Sequence, residues 1–202
     1  MPRRGGIGWL VAAALALAAP GARAAGEAPA ADCALAATDR VQARYEGLLA
    51  LRARFRQTTW SVAFGGDSGP EAVAAEGRVE FAKPGRMRWE YEKPAPSLVV
   101  SDGSTLWIYD PTAREVQVLS VDQGFLSAAA IQFLLGQGRL RESFEVAARS
   151  CSATRAELEL RPRADASYER IELAVDPGTG WIQETTVTDL LGNRTHVVFE
   201  GV

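Results

Sequence analysis

Gly77-Arg78-Val79-Glu80-Phe81-Ala82-Lys83-Pro84-Gly85-Arg86-Met87-Arg88-Trp89-Glu90-Tyr91-Glu92 decides the fold of this chain. Apolar and charged residues alternate on both sides of Lys83-Pro84-Gly85. Val79 and Phe81 share one face and Arg78 and Glu80 the other. Met87, Trp89 and Tyr91 then alternate with Arg86, Arg88 and Glu90. A period of two marks half-buried strands, and Lys-Pro-Gly is turn chemistry. Downstream, Lys93-Pro94-Ala95-Pro96 makes another turn before a strand over 97–100. Ser101-Asp102-Gly103-Ser104 is a tight hairpin connection. A strand over 105–109 follows, stopped by Asp110-Pro111, then one over 115–119. Consecutive hairpins of this kind build an antiparallel meander.

Working outward, residues 53–59 carry Phe55, Gln57 and Thr59 on one face and Arg54, Arg56 and Thr58 on the other. Residues 65–70, Gly-Gly-Asp-Ser-Gly-Pro, form a loop by composition. A helix is expected ahead of the sheet, with Thr38 as N-cap and Val41, Tyr45, Leu48 and Leu49 at helical spacing. Beyond residue 119 the alternation breaks. Residues 125–135 read as a helical segment ended by Gly136, with Ile131, Phe133, Leu134 and Leu135 as its apolar residues. Strands then resume over 144–148, 155–161, 168–175, 181–189 and 194–200. The expected class is mainly β, an antiparallel sheet of about ten strands.

The N-terminus has Arg3 and Arg4, an uncharged apolar run from Trp9 to Ala19, and Ala22-Arg23-Ala24. That order is the pattern of a cleaved secretory signal peptide over 1–24. The run is shorter than the roughly 20 residues a membrane span needs. A flexible leader over 25–37 and a single domain over 38–202 follow. Removing 1–24 leaves 22 − 3 = 19 basic against 25 acidic residues, a net charge near −6. That balance argues against nucleic acid as a partner. Cys33 follows Asp32, which speaks against lipidation. In an oxidising exported compartment Cys33 and Cys151 form one disulfide, with two unpaired thiols as the alternative.

No catalytic set is legible. The single histidine, His196, reads as a solvent-facing strand residue, and no Ser/His/Asp, Cys/His, metal-ligand or phosphate-loop pattern appears. No cofactor is expected. What stands out is apolar surface. A sheet of this size has more inward-facing area than one helix and one short apolar segment can fill, so it either closes into a filled barrel or leaves a cavity. Met87, Trp89 and Tyr91, opposed by Leu98 and Val100, would form an apolar wall. An ordinary core is the alternative.

The run from Glu76 to Pro84, Met87-Arg88-Trp89, Pro94, Val99-Val100-Ser101-Asp102-Gly103, Leu106-Trp107 and Tyr109-Asp110-Pro111 resembles the LolA-type outer-membrane lipoprotein carriers. Phe55-Arg56-Gln57, Leu158-x-Leu-x-Pro162 and Asp189-x-x-Gly192-Asn193 are similar to the family too. The resemblance implies an incomplete β-barrel, or half-barrel, with an α-helical lid over an apolar cavity. It implies a periplasmic monomer that takes acylated lipoproteins from an inner-membrane ABC-type complex to an outer-membrane receptor. Phe55, Phe81, Met87, Trp89, Tyr91, Leu98 and Val100 would line the acyl-chain cavity, and Ile131, Phe133, Leu134 and Leu135 the lid. Lys83 stands where the family has an arginine that latches the lid backbone. A lysine is a flexible point charge rather than a planar fork, so Arg86 or Arg88 could share that role. Relatives continue beyond the Asp-x-x-Gly-Asn strand with a further segment, and this chain stops at Val202. Carriage of another lipid or glycolipid, or a lipoprotein-sensing module, are the alternative functions.

Overall fold

The computed structural model describes residues 30–63, 71–121 and 138–202. The signal-peptide segment 1–24 and the expected lid residues Ile131, Phe133, Leu134 and Leu135 lie outside the described residues.

A helix, α1 (Ala30–Gly47), precedes six strands: β1 (Ala50–Ser61), β2 (Glu71–Ala82), β3 (Arg86–Lys93), β4 (Ser97–Ser101), β5 (Thr105–Asp110) and β6 (Glu115–Ser120). A short helix, α2 (Leu140–Ser143), leads into β7 (Phe144–Cys151), β8 (Ala156–Pro162), β9 (Tyr168–Val175), β10 (Ile182–Asp189) and β11 (Arg194–Glu200). All eleven strands join one antiparallel sheet in the order β6-β5-β4-β3-β2-β1-β11-β10-β9-β8-β7. Each strand is next to its sequence neighbour except β6 and β7. β1 pairs with β11, bringing the two ends of the sheet's sequence together, while β6 and β7 form opposite free edges. The sheet is therefore open and does not close into a barrel.

The sheet has two apolar clusters on its concave side, and different residues cover them. The first gathers Leu158, Leu160, Ile171, Leu173, Val175 and Ile182 beneath α1. α1 contributes Cys33, Ala34, Ala37, Val41 and Tyr45, an i, i+4 stripe on one helical face. It packs mainly on β7 and β8. The Arg44 guanidinium lies 4.9 Å over the Trp181 ring and its Nε donates to Thr179 O at 2.9 Å. Gly180 has a φ of +78°, and a Cβ there would drive into the Arg40 carbonyl. Glycine lets the β9–β10 turn approach the helix backbone this closely.

Two expectations about this helix change. α1 begins at Ala30, so residues 30–37 of the expected leader are helical. Thr38 is no N-cap: it is buried inside the helix, and its Oγ1 donates to Ala34 O at 2.6 Å. Both follow from tertiary anchoring. Cys33 is disulfide-bonded to Cys151 at the end of β7, and Ala34 and Ala37 are 2% exposed against the sheet. Burial of that face extends the helix back past the local cap signal.

The convex side of β1–β3 and β7–β11 has no apolar cluster. Rows of arginine and glutamate cross it instead, among them Arg78–Glu92 at 2.9 Å, Arg149–Glu172 at 2.8 Å and Arg155–Glu184 at 2.8 Å. His196 sits in this layer, half-buried, with Nδ1 2.9 Å from Thr186 Oγ1. On β4–β6 the convex face turns apolar, with Val116 and Val118 exposed.

Candidate functional site

The second cluster comprises Ala53, Phe55, Val79, Phe81, Met87, Trp89, Leu106 and Val197, with Leu51, Tyr91, Val99, Ile108, Leu119 and Phe199 at its margin. Every one of these lies on a strand. The register explains how they meet. Phe55 pairs with Gly77 and Phe199, Val79 with Trp89, and Phe81 with Met87. Cross-strand partners project to the same face, so the alternation read along β2 and β3 delivers one continuous wall.

Aromatic rings dominate it. Trp89 is 9% exposed. Its ring lies 4.7 Å from Phe55, 6.1 Å from Phe81, 6.3 Å from Phe199 and 6.5 Å from Tyr91. Edge-on and tilted geometries prevail, as ring quadrupoles prefer. Gly77 makes room for this stack. A Cβ at Gly77 would collide with the Glu90 carbonyl and come within 3.0 Å of the Phe55 ring. Polar atoms on the wall are few and mostly paired with one another. The Tyr91 hydroxyl donates to Gln57 Oε1 at 3.0 Å, and Gln57 Nε2 donates to Thr59 Oγ1 at 3.2 Å. Burial pushes the Tyr91 phenol up to about 12. Among the described residues Trp89 Nε1 is buried without a partner.

Leu98 and Val100 do not belong to this wall, contrary to the sequence expectation. Met87 pairs with Ser101, Trp89 with Val99 and Tyr91 with Ser97. The inward-facing residues of β4 are therefore Val99 and Ser101, and Leu98 and Val100 sit opposite Glu90 and Arg88 on the convex row. Val99, Leu106 and Ile108 are among the wall residues that sequence reasoning missed, with Leu51, Ala53, Leu119, Val197 and Phe199. The alternation of Leu106 and Ile108 within β5 was the signal that could have found those two.

A cavity of about 550 Å³ opens at the end of β1–β4, lined mainly by apolar surface. Most of its lining belongs by register to the convex rows, Ala50, Arg52, Glu80, Ala82, Arg86, Arg88 and Val100 among it, and Leu51, Phe81, Met87 and Ser101 come from the rows of the aromatic wall. That volume lies within the roughly 300–1,000 Å³ usual for small-molecule sites. Of the expected cavity residues it takes Phe81, Met87 and Val100. Phe55, Trp89 and Tyr91 lie deeper along the strands, closed over by their own ring contacts.

Beside the cavity is a nearly closed crevice between the end of α1 and the ends of β1 and β2. Tyr45, Leu48, Leu51, Phe81 and Lys83 line it, and Ala50, Leu51, Phe81 and Ala82 are common to both spaces. Lys83 bridges this crevice to the end of α1. Its Nζ donates to Tyr45 O and to Glu46 O, both at 2.7 Å. Its backbone N donates to Leu49 O at 2.9 Å. The last carbonyls of a helix have no intrahelical partner, and a cation there also meets the negative end of the helix dipole. Lys83 thus caps the last carbonyls of α1, while the lid backbone it was expected to engage lies outside the described residues. Arg88 pairs instead with Glu90 at 3.1 Å on the convex face.

Among the described residues no group of three His, Cys, Asp or Glu side chains could hold a metal ion. Nor is any helix there long and apolar enough to cross a membrane.

An open antiparallel half-barrel, with one apolar half under a helix and the other carrying an aromatic cluster, is the class of β-sheet protein that the fold defines. Residues 46–202 match the family model described as outer membrane lipoprotein carrier protein LolA, and the chain belongs to that family. An outer-membrane lipoprotein carrier protein of Cupriavidus necator is 32% identical over 168 residues, covering 83% of this chain and 77% of the relative. One of Azotobacter vinelandii is 28% identical over 153 residues, covering 75% and 70%. A solved LolA superfamily protein from Nitrosomonas europaea aligns over 83% of this chain and 91% of its own, at 10% identity and a TM-score of 0.45.

Proposed function

We propose that this chain is a periplasmic carrier that takes the acyl chains of lipoproteins against its aromatic wall and delivers them from the inner to the outer membrane. The observation that carries the proposal is the second cluster: a largely buried apolar wall made only of strand residues, centred on Phe55, Phe81 and Trp89. Membership of a family described as lipoprotein carriers supports it.

The chemistry is transfer between apolar environments. Each methylene moved out of water gains about 0.8 kcal/mol, so a diacyl cargo could bind too tightly to leave. The wall limits that gain because it already shields itself. Phe55 is 1% exposed and Phe81 is 5% exposed without cargo, so chains must replace ring–ring contacts rather than wet surface. Net affinity stays moderate, and a receptor with a more favourable apolar surface can complete the handover without nucleotide at this protein. An inner-membrane ABC-type complex would supply the cargo and an outer-membrane receptor would accept it. Lys83 serves as the latch: releasing Tyr45 O and Glu46 O frees the end of α1 and joins the crevice to the cavity.

The test is transfer of a triacylated lipoprotein out of inner-membrane vesicles carrying the releasing complex. The purified protein should bring it into the soluble fraction, and Trp89→Glu should abolish that. Mass spectrometry of material copurified from the periplasm should find acylated peptides. Free glycolipid with no acylated peptide, or no solubilised cargo, would overturn the proposal.

A further inference from the structure

Trp89 stands at the centre of the aromatic wall, yet its indole N–H has no hydrogen-bond partner among the described residues. Phe55, Phe81, Phe199 and Tyr91 surround the ring, and the one hydroxyl among them, that of Tyr91, donates to Gln57. Gln57 in turn donates to Thr59. Tyr91, Gln57 and Thr59 are thus linked to one another within the wall, and among the described residues the Trp89 N–H is left without a partner. Two further buried atoms lack partners, Tyr168 Oη and Thr188 Oγ1. Neither belongs to this wall: Tyr168 lies in the cluster beneath α1, and Thr188 is on the charged side.

A buried unpaired N–H is a standing cost that a phenylalanine in the same ring cage would not carry. Such a group has a rationale when its partner arrives with a ligand. Acyl cargo carries one kind of acceptor within its hydrocarbon, the ester or amide carbonyl. That carbonyl has the mirror-image problem, since it too loses water on entering an apolar site. We infer that the Trp89 N–H is the docking donor for one acyl carbonyl, fixing how deep that chain sits and distinguishing acyl chains from plain alkyl chains. The inference rests on the carrier proposal above and adds to it a preference for carbonyl-bearing chains. Entry of cargo opens the ring contacts around Trp89 and exchanges them for chain contacts, and the N–H then meets the carbonyl that follows the chain in.

The experiment compares two lipids that differ only in their carbonyls, 1,2-dioctanoylglycerol and its diether analogue 1,2-dioctylglycerol. Binding of each to the purified protein is measured by titration, and the indole N–H resonances are followed by ¹H–¹⁵N NMR. One net hydrogen bond predicts diester binding about three- to tenfold tighter than diether binding. The Trp89 N–H resonance should move downfield with the diester and not with the diether. Trp89→Phe should bind both lipids alike, at the level the wild type shows for the diether. Equal binding of both lipids by the wild type, with no downfield shift, overturns the inference and leaves the carrier proposal standing. Binding of neither lipid, together with no transfer of acylated cargo from vesicles, overturns both. The wild-type comparison decides the matter even where the variant fails to fold.

Discussion

Replacing Lys83 by methionine keeps the length and most of the apolar stem of the side chain and removes its ammonium. Two contacts go with it, to Tyr45 O and Glu46 O at 2.7 Å each. A hydrogen bond from a charged donor contributes about 1.5–3 kcal/mol. Here one ammonium serves both carbonyls, and the bond to Glu46 O is exposed to solvent. The low end of that range, about 2 kcal/mol for the pair, is the appropriate figure. The backbone bond from Lys83 N to Leu49 O is untouched, and so are the buried residues of α1 further up the helix. The loss should therefore be local. The free energy for opening the last turn of α1 falls by about 2 kcal/mol, and its amides exchange with deuterium about 30-fold faster. Amides of β8 and β9 should keep wild-type rates. Lys83→Arg should restore protection, because a guanidinium can span the same two carbonyls. Native-state hydrogen exchange by NMR or mass spectrometry reads this directly. Unchanged exchange in the last turn of α1 would refute the latch argument, and a uniform rise across the sheet would show that Lys83 supports global stability instead.

Phe55→Ala removes a ring that is 1% exposed and in contact with Trp89 and Tyr91; urea unfolding should show a loss of about 3–5 kcal/mol. Gly77→Ala should also destabilise, because the new Cβ meets the Glu90 backbone rather than a side chain that can swing away; a thermal midpoint equal to wild type would contradict the packing described. The Cys33–Cys151 disulfide spans 118 residues, so its reduction should lower stability by up to about 5 kcal/mol on the loop-entropy model, measured by denaturation with and without reductant. Glu184 is held below the usual carboxylate range by its hydrogen bond from Arg155 and that guanidinium's charge. A pKa lower in the folded state gives stability that is present above the unfolded carboxylate value, near ~4.3, and is lost as pH falls through the folded value. The thermal midpoint should therefore drop in that acid window, and Arg155→Gln should reduce the drop.

The alternation in Gly77–Glu92 was enough to establish strands, their antiparallel order and the inward set Val79, Phe81, Met87, Trp89 and Tyr91. It was sufficient because side-chain direction within one strand is fixed by the period of two and needs no other part of the chain. Parity between strands is a different matter. It depends on how many residues the connecting turn takes and where pairing resumes, and a shift of one residue exchanges the two faces. The pairing of Tyr91 with Ser97 across the Lys93–Pro96 turn put Val99 and Ser101 inside and sent Leu98 and Val100 outside. Nothing in Ser97-Leu98-Val99-Val100 distinguishes the two parities, since three consecutive apolar residues satisfy either face. The start of α1 was hidden for a similar reason. Thr38 carries a local cap signal, but Ala34 and Ala37 count for little until β7 and β8 lie beneath them and a disulfide holds the segment in place. Lys83 was legible as a latch only by likeness; that it grips the last carbonyls of α1 required the turn and the helix end to be brought together across 37 residues of sequence. The sequence by itself thus determined where the strands run and, where the alternation is unbroken as in β2 and β3, which side of a strand is apolar. The tertiary structure decided which apolar sides share a wall and which polar groups on it remain unpaired, because those depend on register and on contacts between distant segments.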